Sequence, residues 1–284
     1  MITDRERYFA LIKDVSAYYE KRPPETKRII SGNEFFDFVW CPGLTDEINL
    51  WTYWQGGKRL DNGEMRTDIL LVGQDFGSFM QNGKISPFYM QCINSEEGIS
   101  NAYIQRITSN KHMSLTDWNL ISLFSALGNE YKADIPNNPK LFFVNLCLGY
   151  RSIEKISGGD VSTQMRHDSI YLRRLASIVK PKVIICLGAS TFIAAASGLL
   201  SDNELAEHHD DLIRVATAYN TALDERKNHL HIVCDGVDCD LFTVGHPGFM
   251  GISNRNRYSK MKQTKTSDLL RIMREDWKEI KHFL

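Results

Sequence analysis

Ile69-Leu70-Leu71-Val72-Gly73-Gln74-Asp75-Phe76-Gly77-Ser78 decides the reading of the fold. Four apolar residues run without interruption, stop at a glycine and hand over to a carboxylate. A continuous run of this length suits a strand covered on both faces, as in a parallel sheet. Residues 141–144, 183–186 and 241–244 have the same character. The last of these leads into Gly245-His246-Pro247-Gly248, so a second strand closes on a glycine and an ionisable side chain. In an open parallel sheet the ligand crevice lies outside the strand C-termini. An Asp and a His brought together there can act on one bond.

Helical patterns separate the runs. Residues 4–21 carry Tyr8, Leu11, Ile12, Val15 and Tyr19 at helical spacing, and Arg22-Pro23-Pro24 ends them because proline lacks a donor and restricts its neighbour. Residues 115–127 and 189–200 read as helices. So do 163–179, with Ile170, Leu175 and Ile178 on one face, and 266–283, with Leu269, Leu270, Met273, Trp277 and Ile280 as the buried stripe. Residues 200–212 and 218–238 read as polar insertions or loops. Strands alternating with helices imply an α/β sheet with right-handed crossovers. Residues 31–66 are rich in aromatics and glycine and read as an irregular layer packed on the domain. The expected organisation is an N-terminal extension, 1–66, on an α/β domain, 67–284.

Composition narrows the function. The chain has 284 residues, 43 % apolar, with 34 basic and 35 acidic side chains. That balance gives no global attraction to polyanions, so any such site is a local patch. The charged start has no signal-peptide pattern, and no apolar run approaches the roughly 20 residues that span a bilayer. A cytoplasmic monomer without membrane contact is expected. The six cysteines include no C-x-x-C pair, so neither a metal nor another cofactor is expected. Cys147 and Cys186 read as buried hydrophobes, and Cys234 and Cys239 are near enough in sequence to meet across a loop. No G-x-G-x-x-G follows the first strand, which argues against a dinucleotide site.

Four features carry chemistry. In Gly73-Gln74-Asp75 the glycine permits close ligand approach, Gln74 both donates and accepts, and Asp75 can orient a water or balance a cation; it also suits a helix N-cap. Asn145, after Phe142-Phe143-Val144, can pair with the edge of a base or stabilise a turn. His246 can donate to an oxygen that gains negative charge or satisfy loop backbone. From Gly251 to Thr266 there is no acidic residue, while Arg255, Arg257, Lys260, Lys262 and Lys265 add five cations. That run suits phosphate contacts or a solvated loop. Phe249 and Met250 before it suit a wedge into a base stack.

Together these residues resemble the uracil-DNA glycosylase superfamily. Gly73-Gln74-Asp75 is similar to its water-activating motif, which reads GQDPYH in the best-known branch. Phe142-Phe143-Val144-Asn145 resembles the strand whose terminal Asn recognises a pyrimidine edge. Gly245-His246-Pro247 resembles the catalytic HPS loop, whose following residues enter the minor groove. Ile184-Ile185-Cys186-Leu187-Gly188 matches a further strand of the family. Phe76-Gly77 stands where that branch has Pro-Tyr, and Gly248 where it has Ser; the Tyr there excludes the methyl group of thymine.

The resemblance implies a three-layer α/β/α fold with a central four-stranded, mainly parallel sheet. It implies a monofunctional DNA glycosylase that removes uracil or a related damaged or mismatched base from single- or double-stranded DNA in base excision repair. Asp75 and His246 are the implied catalytic pair. Gln74, Gly73, Asn145 and Phe88 (Phe79 as second choice for the stacking ring) would hold the base. Met250, Arg255, Arg257, Lys260 and Lys262 would contact DNA. Two rival readings keep the fold: a family-like domain that binds nucleic acid with an altered pocket, and a nucleoside or nucleotide hydrolase.

Overall fold

The computed structural model describes residues 2–21, 29–30, 33–34, 38–40, 52–56, 65–96, 98, 115–131, 138–151, 161–217, 229–258 and 270–284. Its centre is a sheet of five strands: β1 (Ile69–Gly73), β2 (Leu141–Asn145), β3 (Val183–Leu187), β4 (His229–Cys234) and β5 (Val237–Val244). Their spatial order is β4-β5-β3-β1-β2. β5, β3, β1 and β2 are parallel, and β4 joins β5 as an antiparallel hairpin.

The four apolar runs become the four parallel strands, and the sheet gains a fifth beyond the expected four. β4 and the first two residues of β5 fall in the segment read as a loop. Their pattern explains the miss. Leu230 and Ile232 are buried while His231 and Val233 are exposed, the period-two alternation of an edge hairpin with one face in water.

Helices cover both faces. They are α1 (Asp4–Lys21), α2 (Pro87–Ile93), α3 (Leu115–Leu127), α4 (Ser162–Ser169), α5 (Leu172–Val179), α6 (Ala189–Leu199), α7 (Asp202–Glu207), α8 (His209–Ala216), α9 (Phe249–Tyr258) and α10 (Arg271–Ile280). Alternate strand residues serve opposite layers. Leu70, Val72, Phe142, Val144, Ile184 and Cys186 pack with Tyr8, Leu11 and Val15 of α1, Leu175 of α5 and Phe192 of α6. Ile69, Leu71, Val183, Ile185, Phe242 and Val244 pack with Leu123 and Phe124 of α3 and Met273 and Trp277 of α10. Trp277 is fully buried and meets Phe124 edge-on at 5.1 Å; truncating such an aromatic costs about 3–5 kcal/mol.

Helix boundaries correct several expectations. The helix expected over 163–179 is two helices, broken at Ile170 and Tyr171. Ile170, expected to share a face with Leu175 and Ile178, is 61 % exposed while those two are buried. Lys180, in the left-handed conformation at φ 44°, ends α5. Within 200–212 lie α7 and the start of α8, with Ser201 and Glu204 forming a capping box. The acid-free stretch begins as helix α9 rather than as a loop. Leu269 lies outside the described residues, as does most of 31–66.

Cys234 and Cys239 sit in the β4–β5 hairpin, opposite Val237 and Ile232 respectively, and both are free thiols. Burial pushes the Cys239 thiol up to about 12, so it is a poor nucleophile at neutral pH. Among the described residues no helix is long and apolar enough to cross a membrane.

Candidate active site

β1 and β3 are neighbours, but β2 lies beyond β1 while β5 lies beyond β3. The chain order therefore reverses between β1 and β3, where open α/β sheets form their ligand crevice. A pocket of about 280 Å³ opens there, at the C-terminal ends of the strands. Gly73, Gln74 and Asp75 line it from β1, Asn145 from β2, Leu187 from β3 and His246 from the loop after β5. Phe88 of α2 lines it as well. Five residues singled out from three distant sequence patches, and Phe88 with them, thus share one cavity.

Each side chain has a local reason for its place. Gly73 and Asn145 are direct partners in the parallel ladder. A Cβ on Gly73 would stand 2.1 Å from Asn145 Oδ1, so glycine is what lets the carboxamide lie across the strand end. The ladder continues past both strands. The amides of Leu146 and Cys147 donate to the carbonyls of Gly73 and Gln74, each at 3.0 Å.

Asp75 lies in that zipped loop and forms an ion pair with Arg151 through Nε and Oδ2. The Arg151 side chain is 4 % exposed and that of Asp75 12 %. Gly77, where the resembling branch carries Tyr, has φ +71°, a conformation that favours glycine and strains a larger residue. Its carbonyl accepts the amide of Arg151 at 2.9 Å.

His246 sits on a loop held from two sides. Asn119 of α3 donates to the Pro247 carbonyl at 2.7 Å. The Gly248 amide approaches His246 Nδ1 at 3.0 Å and donates to it. An Nδ1 that accepts has no proton, so the neutral ring carries its hydrogen on Nε2. The ring is reached by solvent, but the crowding protein strips enough water to hold its pKa below the ordinary 6.5. The Asp75 carboxylate pulls the other way and is the smaller effect. The site thus offers a neutral N–H donor, a carboxylate and an amide around one cavity.

The walls are aromatic. Trp54 and Phe143, 4.9 Å apart between ring centroids, line the pocket together with Phe76 and Tyr89. Phe79, the second choice for a stacking ring, is withdrawn. It is 1 % exposed and stacked between Tyr89 at 4.1 Å and Tyr150 at 5.5 Å. Trp54, Tyr89, Thr116 and Arg151 escaped the sequence reading. Trp54 stood in a segment with many aromatics and nothing to rank them. Gln55 beside it accepts the Phe143 amide at 3.1 Å, tying the N-terminal segment to β2.

The proposed nucleic-acid residues separate. Phe249 and Met250 are each 68 % exposed at the start of α9, directly beyond the His246 loop, and Arg257 is exposed. Arg255 is not available to a phosphate. It is fully buried and paired with Asp276 of α10 by two bonds, Nε to Oδ2 at 2.7 Å and Nη2 to Oδ1 at 2.9 Å. It lies one turn after the buried Ile252 and so on the inner face of α9. Lys260 and Lys262 lie outside the described residues. Among the described residues no group of three or more His, Cys, Asp or Glu could hold a metal ion.

No protein-family model matches the chain, and no curated protein matches it. The functional reading therefore rests on the pocket and on the motif resemblance.

Proposed function

We propose that the protein is a monofunctional DNA glycosylase, with residues 67–284 as a uracil-DNA glycosylase-like domain and residues 1–66 as an extension that contributes Trp54 to the base pocket. The convergence of Asp75, Asn145 and His246, from three patches of the chain, on one cavity carries this reading. The substrate is uracil or a related damaged or mismatched base, and the product is an abasic site.

The chemistry follows from the groups. Hydrolysis forms a bond from water oxygen to the sugar C1′ and breaks the C1′–N bond, whose electron pair leaves with the base. Positive charge grows on the sugar and negative charge on the base oxygen. His246 donates its Nε2–H to that oxygen; losing one such donor costs about 10²–10³ in rate. Asp75 orients the water, takes up its proton and balances the sugar cation. Asn145 reads the base edge with one donor and one acceptor, and Phe88 stacks on the ring. Gln74 holds the water or a backbone phosphate. The base leaves the duplex first, at a cost of a few kcal/mol. Met250 as a wedge and Arg257 as a phosphate contact offset that cost.

The test is an oligonucleotide with one uracil, supplied single-stranded, opposite G and opposite A, incubated with the wild type, Asp75→Asn and His246→Ala, then cleaved with alkali. The expected result is strand cleavage by the wild type that falls at least about 10²-fold in each variant. Cleavage by folded variants at the wild-type rate removes the assignment. A wild type that binds DNA without cleaving points to another base or a binding role, and one that cleaves only free nucleosides points to a small-molecule hydrolase.

A further inference from the structure

Asp75 would act as a water-orienting carboxylate, yet it does not stand alone in the pocket wall. Among the described residues its only hydrogen-bond and ion-pair partner is Arg151, through Oδ2. Arg151 is in turn held by its backbone from two directions. Its amide donates to the Gly77 carbonyl and it bridges Ser78, on the Asp75 loop. It also pairs in antiparallel register with Phe38 of the N-terminal segment. Such a cation cannot drift: its backbone is fixed and its side chain is almost sealed from water. A guanidinium is planar, directional and always charged, so it fixes the angle of a carboxylate as well as its position.

We propose that Arg151 is a positioning residue for Asp75, holding Oδ2 at the pocket wall so that Oδ1 is presented to the attacking water. This rests on the glycosylase reading. Arg151 does not touch the substrate and acts only through the carboxylate. Catalysis by an oriented water is sensitive to placement, and a displacement of about 1 Å costs about 10²-fold in rate.

The test is single-turnover excision and oligonucleotide affinity for the wild type, Arg151→Met, Arg151→Lys, Asp75→Asn and Arg151→Met/Asp75→Asn. Arg151→Met is expected to lose about 10²-fold in rate with affinity unchanged. Arg151→Lys is expected to recover part of that loss. In the Asp75→Asn background the Arg151 change is expected to add no further loss, because residues that act as a unit are not additive. If Arg151→Met fails to give a native melting transition, Arg151→Lys and its Asp75→Asn double variant complete the same cycle. An active wild type with an Arg151 effect that is absent, confined to affinity, or fully additive with Asp75→Asn overturns the positioning role and leaves the glycosylase reading standing. A wild type that releases no base overturns both.

Discussion

At the scale of single residues, the site turns on the protonation of His246. Its folded pKa lies below the ordinary 6.5, because desolvation outweighs the pull of Asp75. Between the folded midpoint and about pH 6.5 the unfolded chain binds a proton that the folded chain refuses. The corresponding stability is present above the unfolded pKa and is lost as pH falls through the folded one. NMR titration of the imidazole should give a midpoint below 6.5. In Asp75→Asn the midpoint should fall further, since the one upward pull is gone. A midpoint at or above 6.5, or one that rises in the variant, contradicts this arrangement. Excision should keep its plateau into the same acidic range.

The residue scale is also where the sequence was most and least informative. Gly73, Asp75, Asn145 and His246 were legible because each ends an apolar run, and strand ends collect at one edge of a parallel sheet. Arg151 was not, because its meaning lies in a partner 76 residues away. Nothing local to Gly149-Tyr150-Arg151 marks that arginine as different from any other.

At the scale of elements, α9 shows how a count of charges misleads when its period is ignored. Arg255 and Arg257 are two residues apart, and on a helix they face different ways. One is locked to Asp276 inside the protein and the other is in water. Their substitutions should therefore separate cleanly. Arg257→Ala should weaken binding to a uracil-containing oligonucleotide and reduce the salt slope by about one, with the melting temperature unchanged. Arg255→Ala leaves a buried carboxylate without its cation, which costs about 3–5 kcal/mol and lowers the melting temperature by several degrees. Anisotropy across a salt series and thermal melts of both variants test the pair. Equal melting temperatures would mean that the α9–α10 bridge contributes nothing. The β4–β5 hairpin escapes the sequence for a related reason: β4, half exposed, alternates apolar and polar residues and lacks the continuous apolar run that marks the other strands.

At the scale of the whole molecule, a buried polar cluster ties α1 to the loop that follows β2. Asp168 of α4, 1 % exposed, accepts from the Tyr19 hydroxyl of α1 at 2.5 Å, from Gln164 at 2.7 Å and from the Leu148 amide at 2.9 Å. The Tyr19 oxygen in turn accepts the Gly149 amide at 2.9 Å. Burial, then the neighbouring Asp168 carboxylate, push the Tyr19 hydroxyl well above its ordinary pKa, so it stays a neutral donor. This cluster grips residues 148–149, between Asn145 in the pocket and Arg151 behind Asp75. Tyr19→Phe removes a donor from a buried carboxylate and an acceptor from a buried amide while keeping the ring. Leaving such groups unsatisfied costs about 1–3 kcal/mol. The urea midpoint of Tyr19→Phe should fall accordingly, with the denaturant slope unchanged. Deleting residues 1–21 should do far more, because Tyr8, Leu11 and Val15 of α1 are fully buried in the layer that covers β1 and β2. An unchanged midpoint in both variants would show instead that α1 is a separable appendage, and that the Asn145–Arg151 loop holds its shape without it.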